Sequence, residues 1–330
     1  MEQHFTITKG HGCGEDVVVV DGAPGAVADT LKSDAGGGLE DLVRRLCDRN
    51  GPVGGQGVVF LDQRPTEPEV WWFDRDGRPG PADGHGLRVA GRVVLDRRGA
   101  DEVVLTSGLD RCAVRRLPGH ADGVTRVAVD LPTVRSASTT SPAVQILPAF
   151  HPHRPVGLLS VPTPQLVCVV GGYDEDELVA AGRRAAPDGP AVASGADVSF
   201  LMPLSAADEV FVRTYAQGEG LTRAHAAGMA ACRVVYSQLG AVEPDASVLL
   251  RCVGGPARAA VRVAGKQRAV SLEGNATLMF SAELDPAALV PGGPVLLDVL
   301  PHVEEIMAFA ALSEANRQAL EAAGVRTGSS

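Results

Sequence analysis

Positive charge is in short supply in this chain of 330 residues. Its 30 Lys and Arg are outnumbered by 40 Asp and Glu, for a formal net charge of −10. That balance argues against nucleic acid or an anionic membrane as the primary partner. No stretch approaches the roughly 20 apolar residues that a membrane span needs. Met1-Glu2-Gln3-His4 leads into no apolar run of signal-peptide length. The six cysteines, Cys13, Cys47, Cys112, Cys168, Cys232 and Cys252, include no C-x-x-C pair. The expectation is a reduced, cytoplasmic protein with free thiols. The Gly-rich runs near Gly36 and Gly54 lack the following Lys-Ser/Thr of a phosphate loop. His151 and His153 bracket a proline without further ligands nearby, so no metal is expected.

What is present is ordinary for a globular chain: 45% hydrophobic and 21% charged residues. The length allows one large domain or two of usual size, with ample core. Val17-Val18-Val19-Val20 is a β-branched run suited to a buried strand. Val58 to Leu61 and Val70 to Phe73 read as a strand pair. Between the valine run and this pair, residues 22–57 read as an elaborated loop with one helix, at Leu39 to Cys47. Residues 136–155, rich in Ser, Thr and Pro, are expected to hold the crossover between two halves. The second half repeats the strands, with a helix at Glu175 to Ala185 and further strands through Ala282. Glu304 to Ala323 reads as a long amphipathic helix, and the tail from Gly324 as loose.

Two stretches share one layout. Arg213 to Cys232 has a turn punctuated by Gly218 and Gly220, then His225 at the mouth of a small-residue helix. Phe73 to Val89 has a Gly/Pro-rich turn ending at Asp83, then Gly84-His85-Gly86 opening toward a second such helix. The first turn of a helix leaves backbone N–H groups without partners, and these favour an anion such as a carboxylate. A titratable side chain therefore stands at each mouth. The plainer reading of Asp83 is a helix cap, a common job for Asp. His225 has an equally plain structural reading.

This layout resembles the diaminopimelate epimerase fold, which is shared with proline racemase and the phenazine-pathway isomerase. The epimerase pattern F-N-x-D-G-S is matched by Phe73-Asp74-Arg75-Asp76-Gly77, and C-G-N-G-x-R by Asp83-Gly84-His85-Gly86-Leu87-Arg88. Its opening H-G-x-G-N-D is matched by His11-Gly12-Cys13-Gly14-Glu15-Asp16, and G-x-N-V-x-F by Gly195-Ala196-Asp197-Val198-Ser199-Phe200. The resemblance implies a mixed α/β fold of two pseudo-symmetric domains, 1–145 and 146–330, with room for the final residues to pack back on the first domain. Each domain would be a mostly antiparallel sheet wrapped around a central helix, with the active site in the cleft between them.

The departures rewrite the chemistry. By the resemblance, the two catalytic cysteines fall on Asp83 and His225. The Glu-Arg pair for the far end of diaminopimelate falls on Ala216 and Gln217. Three substrate-side asparagines fall on Glu15, Asp74 and Asp197, and the Gly-Thr after the second cysteine is Ala226-Ala227. A diaminopimelate epimerase is therefore not expected. Asp83 and His225 are the expected acid–base pair, with ordinary values near ~3.9 and ~6.5. Glu15, Asp74, Gly84, His85, Gly86, Asp197, Gln217, Ala226 and Ala227 are the expected substrate contacts. Arg88 and Arg213 are expected to support the fold instead.

A carboxylate is a weaker base than a thiolate, so it suits a carbon acid already activated by conjugation. The expected reaction is proton and double-bond migration in a small unsaturated carboxylate, without cofactor or metal. One branch of the resemblance is the isomerase of antibiotic pathways that make 4-alkyl-proline units, acting on a pyrroline-carboxylate. Alternatives are a racemase or epimerase of another amino acid, and a non-catalytic binding or scaffold protein. Oligomeric state stays open, with a homodimer the assembly that relatives suggest.

Overall fold

In the computed structural model the run Val17 to Val20 is the middle of a strand buried on both faces. The structure describes residues 4–34, 38–119, 122–131, 135–136, 144–148, 150–187, 189, 192–264, 267–285 and 295–328. The chain groups into two units, Met1–Val129 with Asn275–Ala310, and Asp130–Gly274 with Ala311–Ser330.

In the first unit, β1 (Phe5–Gly12) and β2 (Glu15–Asp21) form a hairpin. Helices α1 (Pro24–Asp34) and α2 (Leu39–Cys47) follow. Strand β3 (Gly57–Asp62) runs parallel to β2, and β4 (Glu69–Asp74) antiparallel to β3. A turn and the short β5 (Pro79–Gly80) lead into α3 (Gly84–Arg98). Then β6 (Glu102–Ser107), β7 (Asp110–Arg116) and β8 (Arg126–Asp130) form an antiparallel meander.

Helix α3 lies against β1, β2, β6 and β7 and is buried from Gly84 to Leu95. On the other face, Ile7, Val18, Val20, Val58 and Phe60 share a core with Val27, Leu31, Leu42, Val43 and Leu46. A strand covered on both faces has no use for polar alternation, which is why β2 reads as four valines. Residues 22–57 thus hold two helices, not the one expected. Pro24 opens α1 at the first helical position, where its missing N–H costs nothing. Gly91 lets β7 close on α3, because a Cβ there would lie 2.5 Å from a Val114 methyl.

The second unit begins with β9 (Arg135–Ser136), β10 (Val144–Leu147), β11 (His151–Val161) and β12 (Thr163–Val169). Of the expected crossover, 137–143 and 149 lie outside the described residues. Helix α4 (Glu175–Arg184) precedes β13 (Asp197–Pro203), β14 (Glu209–Ala216) and the short β15 (Gly220–Leu221). Then come α5 (Ala226–Gln238), β16 (Val248–Cys252), β17 (Gly255–Ala264) and β18 (Gln267–Asn275). The pairing repeats the first unit: β12 is parallel to β13, β13 antiparallel to β14, and β14 parallel to β16. Buried α5 lies against β11, β12, β13 and β17. On the opposite face, Leu166, Val198 and Phe200 share a core with Leu178 and Ala181 of α4.

The chain then returns to the first unit. Strand β19 (Thr277–Asp285) pairs with β1, and β20 (Val295–Pro301) pairs with β19. The first unit is therefore made of two chain segments, Met1–Val129 and Asn275–Ala310. Thr277 to Ala282 likewise completes the sheet of the first unit, not that of the second. Helix α6 (Val303–Ala322) is grouped with the first unit through Ala310 and with the second beyond it. The tail is not loose at Val325, which is buried with Leu320 in the second core. Among the described residues no helix is long and apolar enough to cross a membrane.

Candidate active site

In the first unit, β4, its turn and β5 deliver the chain to Asp83, the N-cap of α3. One carboxylate oxygen, Oδ2, accepts the backbone N–H groups of His85 at 2.8 Å and Gly86 at 3.0 Å. Among the described residues Oδ1 takes no hydrogen bond, so it is the oxygen left for other work. The cap also changes the expected anion cradle, since the amides of His85 and Gly86 are held by their own carboxylate.

His85 is buried, and Arg88 Nη2 lies 2.6 Å from its Nδ1. A guanidinium only donates, so Nδ1 is the acceptor and the neutral ring carries its proton on Nε2. The same Nη2 reaches Cys13 Sγ at 3.8 Å. Cys13 sits in the left-handed region (φ 52) of the β1–β2 turn, where its N–H donates to Asn275 Oδ1 at 2.7 Å. Burial pushes the Cys13 thiol up, against the pull of Arg88. Glu15 is buried at the start of β2, opposite Gly12. Arg88, fully buried, thus ties the first turn of α3 to the β1–β2 turn.

Beside this loop Asp16 forms an ion pair with Lys9 at 2.7 Å and a two-pronged pair with Arg49 at 2.6 and 2.7 Å. Burial works against the Asp16 charge, but the hydrogen bonds from Arg49 and Lys9 outweigh it and hold the carboxyl below its ordinary range. Burial holds the Lys9 ammonium below its usual range, although Asp16 pulls the other way. Asp74 builds the β4–β5 turn, its Oδ1 accepting the N–H groups of Asp76 and Arg78 at 2.9 Å each. Its field reaches Cys47 of α2, whose thiol burial pushes up to about 12.

In the second unit, β14, its turn and β15 deliver the chain to His225, the N-cap of α5. Its Nδ1 accepts the N–H of Gly228 at 3.1 Å. Neutral His225 therefore carries its proton on Nε2, which lies 3.8 Å from Asp197 Oδ2. Asp197 is fixed on both oxygens, by Gln217 N–H at 2.9 Å and by Gln165 Nε2 at 2.8 Å. Gln217, expected to touch substrate, turns its amide inward onto Gly182 O at 3.0 Å and Ala196 O at 2.9 Å. The N–H groups of Ala226 and Ala227 find no acceptor among the described residues.

Gly228 is required at this mouth. A Cβ there would lie 2.5 Å from Thr214 Oγ1, 2.6 Å from Ser199 Oγ and 3.2 Å from His225 Nδ1. Those two hydroxyls bond one another at 2.8 Å beneath the helix. Burial also raises the thiols of Cys168, to about 12, and Cys232. No cysteine stands at either helix mouth.

Within each unit the expected residues therefore divide. Asp83, Gly84, His85 and Gly86 form one helix mouth; His225, Ala226, Ala227 and Asp197 form the other. Asp74 and the Gln217 side chain are committed to turn and core. Gln165, which no sequence pattern singles out, is fully buried at the start of the apolar run Leu166 to Val170. Among the described residues no group of three or more His, Cys, Asp or Glu is placed to hold a metal ion.

No family model matches the chain. It is 24% identical over 296 residues to the diaminopimelate epimerase of Clostridium acetobutylicum, covering 85% of this chain and 86% of that one. A hydroxyproline epimerase from Agrobacterium vitis, solved with bound trans-4-hydroxy-L-proline, superposes with TM-score 0.60 at 18% identity. That match covers 92% of this chain and 99% of the other. A methylitaconate-delta-isomerase superposes with TM-score 0.59 at 13% identity, covering 88% and 97%. The chain has the two-unit fold of these epimerases and isomerases.

Proposed function

We propose that this chain, built on the diaminopimelate epimerase-like fold, is a cofactor-independent isomerase that moves a proton, and with it a double bond, in a small unsaturated amino-acid-like carboxylate. The observation that carries the reading is the repeated helix mouth. Each unit ends its β-turn-β element on a titratable N-cap, Asp83 or His225. Asp83 acts as the base through Oδ1, the oxygen its cap leaves open. His225 presents Nε2–H and donates where negative charge develops. The substrate carboxylate is assigned to α5, whose Ala226 and Ala227 amides are open, rather than to α3, whose amides Asp83 holds.

The finer assignment is a pyrroline-carboxylate of 4-alkyl-proline antibiotic biosynthesis, handled in the cytoplasm by a homodimer. Gln217 supports it, because an amide turned into the core leaves no charged group for a substrate's far end. One observation favours a second reading, a non-catalytic binding protein: both N-caps already have a structural job. Incubating the protein with pyrroline-carboxylates in D2O separates the readings by proton NMR. Deuterium at one carbon with a shifted double bond supports the isomerase. Inversion at the α-carbon without a shifted double bond indicates an epimerase, and binding without exchange indicates the non-catalytic protein.

A further inference from the structure

The mouth of α3 has an aromatic wall that the proton transfer described above does not use. Trp71 and Trp72, the two tryptophans of the chain, are neighbours in β4 and point to opposite faces of the sheet. Trp71 packs on the core that holds α2. Trp72 turns toward α3, and glycine stands wherever the indole meets the backbone around it. A Cβ at Gly57 of β3 would lie 2.5 Å from indole Cζ2 and Cη2. One at Gly86 of α3 would lie 3.1 Å from Cζ3 and 3.2 Å from Cε3, and one at Gly80 of β5 3.6 Å from Cδ1. Glycine is a poor choice in a strand or a helix, so β3 and α3 give up stability to admit the ring. Gly86 is also the residue whose N–H Asp83 Oδ2 accepts. The indole therefore lies against the same helical turn as the carboxylate proposed as the base.

Packing accounts for the held part of the indole but not for the rest. Trp72 is only half-buried, and its Nε1–H, which can only donate, finds no acceptor among the described residues. We infer that Trp72 is a specificity-determining residue: a flat, conjugated substrate ring lies on the exposed part of its indole while Asp83 takes the proton. This rests on the isomerase reading and adds the class of ring that the site selects. The chemistry asks for such a wall. A carboxylate removes a proton from carbon readily only when the carbon acid is activated, and a cyclic imine protonated on nitrogen is activated in this way. Such a ring is planar at its reacting atoms and positively charged. An indole face gives it flat apolar contact and attracts its charge more strongly than any other aromatic side chain does. A saturated ring is puckered and makes less of that contact. The site therefore prefers a conjugated iminium carboxylate to a saturated cyclic amino acid of the same size.

The probes are 1-pyrroline-2-carboxylate and L-proline. In Trp71→Phe the sole tryptophan is Trp72. Its emission is expected to change saturably with the pyrroline, and with L-proline only at concentrations about tenfold higher or more. In deuterium exchange, Trp72→Leu should raise KM by about 2–30-fold with kcat nearly unchanged, and Trp72→Phe, which keeps a ring, should recover most of that loss. A packing role alone would lower stability without this split. Asp83→Asn, made in the Trp71→Phe background, should lose exchange and keep the emission change. Exchange that survives in that variant overturns the proton-transfer reading and leaves Trp72 in its place. Exchange by the wild type with a silent Trp72 overturns the inference alone, and so does an equal response to the two probes or a wild-type KM in Trp72→Leu. Should Trp72→Leu fail to fold, the emission titration of Trp71→Phe decides.

Discussion

Nδ1 of His225 accepts the backbone N–H of Gly228 at 3.1 Å, so the cap of α5 fixes the tautomer of the residue proposed to act there. In a 15N-resolved histidine spectrum the neutral ring is expected as the Nε2–H form. His225→Asn keeps an N-cap and should leave stability nearly unchanged, whereas His225→Ala should lose about 1 kcal/mol. Both should slow turnover by about 10²–10⁴-fold. Denaturant unfolding beside a rate assay reads the two effects separately, and an Asn variant with full rate would leave His225 as a cap alone.

Gly228→Ala places a methyl against Ser199, Thr214 and the imidazole. Overpacking of this kind costs about 1–3 kcal/mol. It should also loosen the Nδ1 bond, so the tautomer signal of His225 should broaden or shift along with the loss of stability. A variant as stable as the wild type, with an unchanged histidine spectrum, would mean that α5 is not held this tightly on β13 and β14.

Much of this arrangement can be read from the chain before any coordinates. The four valines of β2, the glycine turns and the two small-residue helices follow from local rules, and so does the capping role open to Asp83. The rest depends on which residues meet at long range. Helix α1 escapes notice because only Val27 and Leu31 carry its buried spacing among small and polar neighbours. Gln165 cannot be assigned without knowing that Asp197 lies beside it. Residue Val325 looks like loose tail because its partners, such as Leu178 and Phe200, lie over a hundred positions earlier. The pairing of β19 with β1 joins the two ends of the chain, which no local pattern records.

Asp16→Asn tests the buried ion pair beside the β1–β2 turn. Lys9, 4% exposed in its side chain, loses its carboxylate but keeps the carbonyls of Val53 and Gly54. The expected cost is about 3 kcal/mol, the low end for breaking a buried pair. The sign with pH follows from the depressed carboxyl. Asp16 contributes stability above its unfolded value near 3.8, and that contribution fades as pH falls toward its lower folded value. Urea midpoints from neutral pH to below pH 3 should therefore converge for wild type and Asp16→Asn at the acid end. Parallel curves would contradict the assignment.

Asp83→Ala and Asp83→Asn divide the two jobs of that carboxylate. Alanine removes the acceptor for the His85 and Gly86 amides and should cost roughly 0.5–2 kcal/mol, while asparagine still caps. Equal stabilities for the two variants would show that the cap adds little to the fold.

The most direct measurement is solvent deuterium incorporation into an unsaturated cyclic amino-acid carboxylate, followed by NMR for the wild type and for folded Asp83→Asn. The wild type should place deuterium at a carbon whose proton migrates, and Asp83→Asn should fall to the uncatalysed rate while its melting temperature stays close to that of the wild type. Full exchange by Asp83→Asn would contradict the account at its centre and leave the carboxylate nothing more than the first residue of a helix.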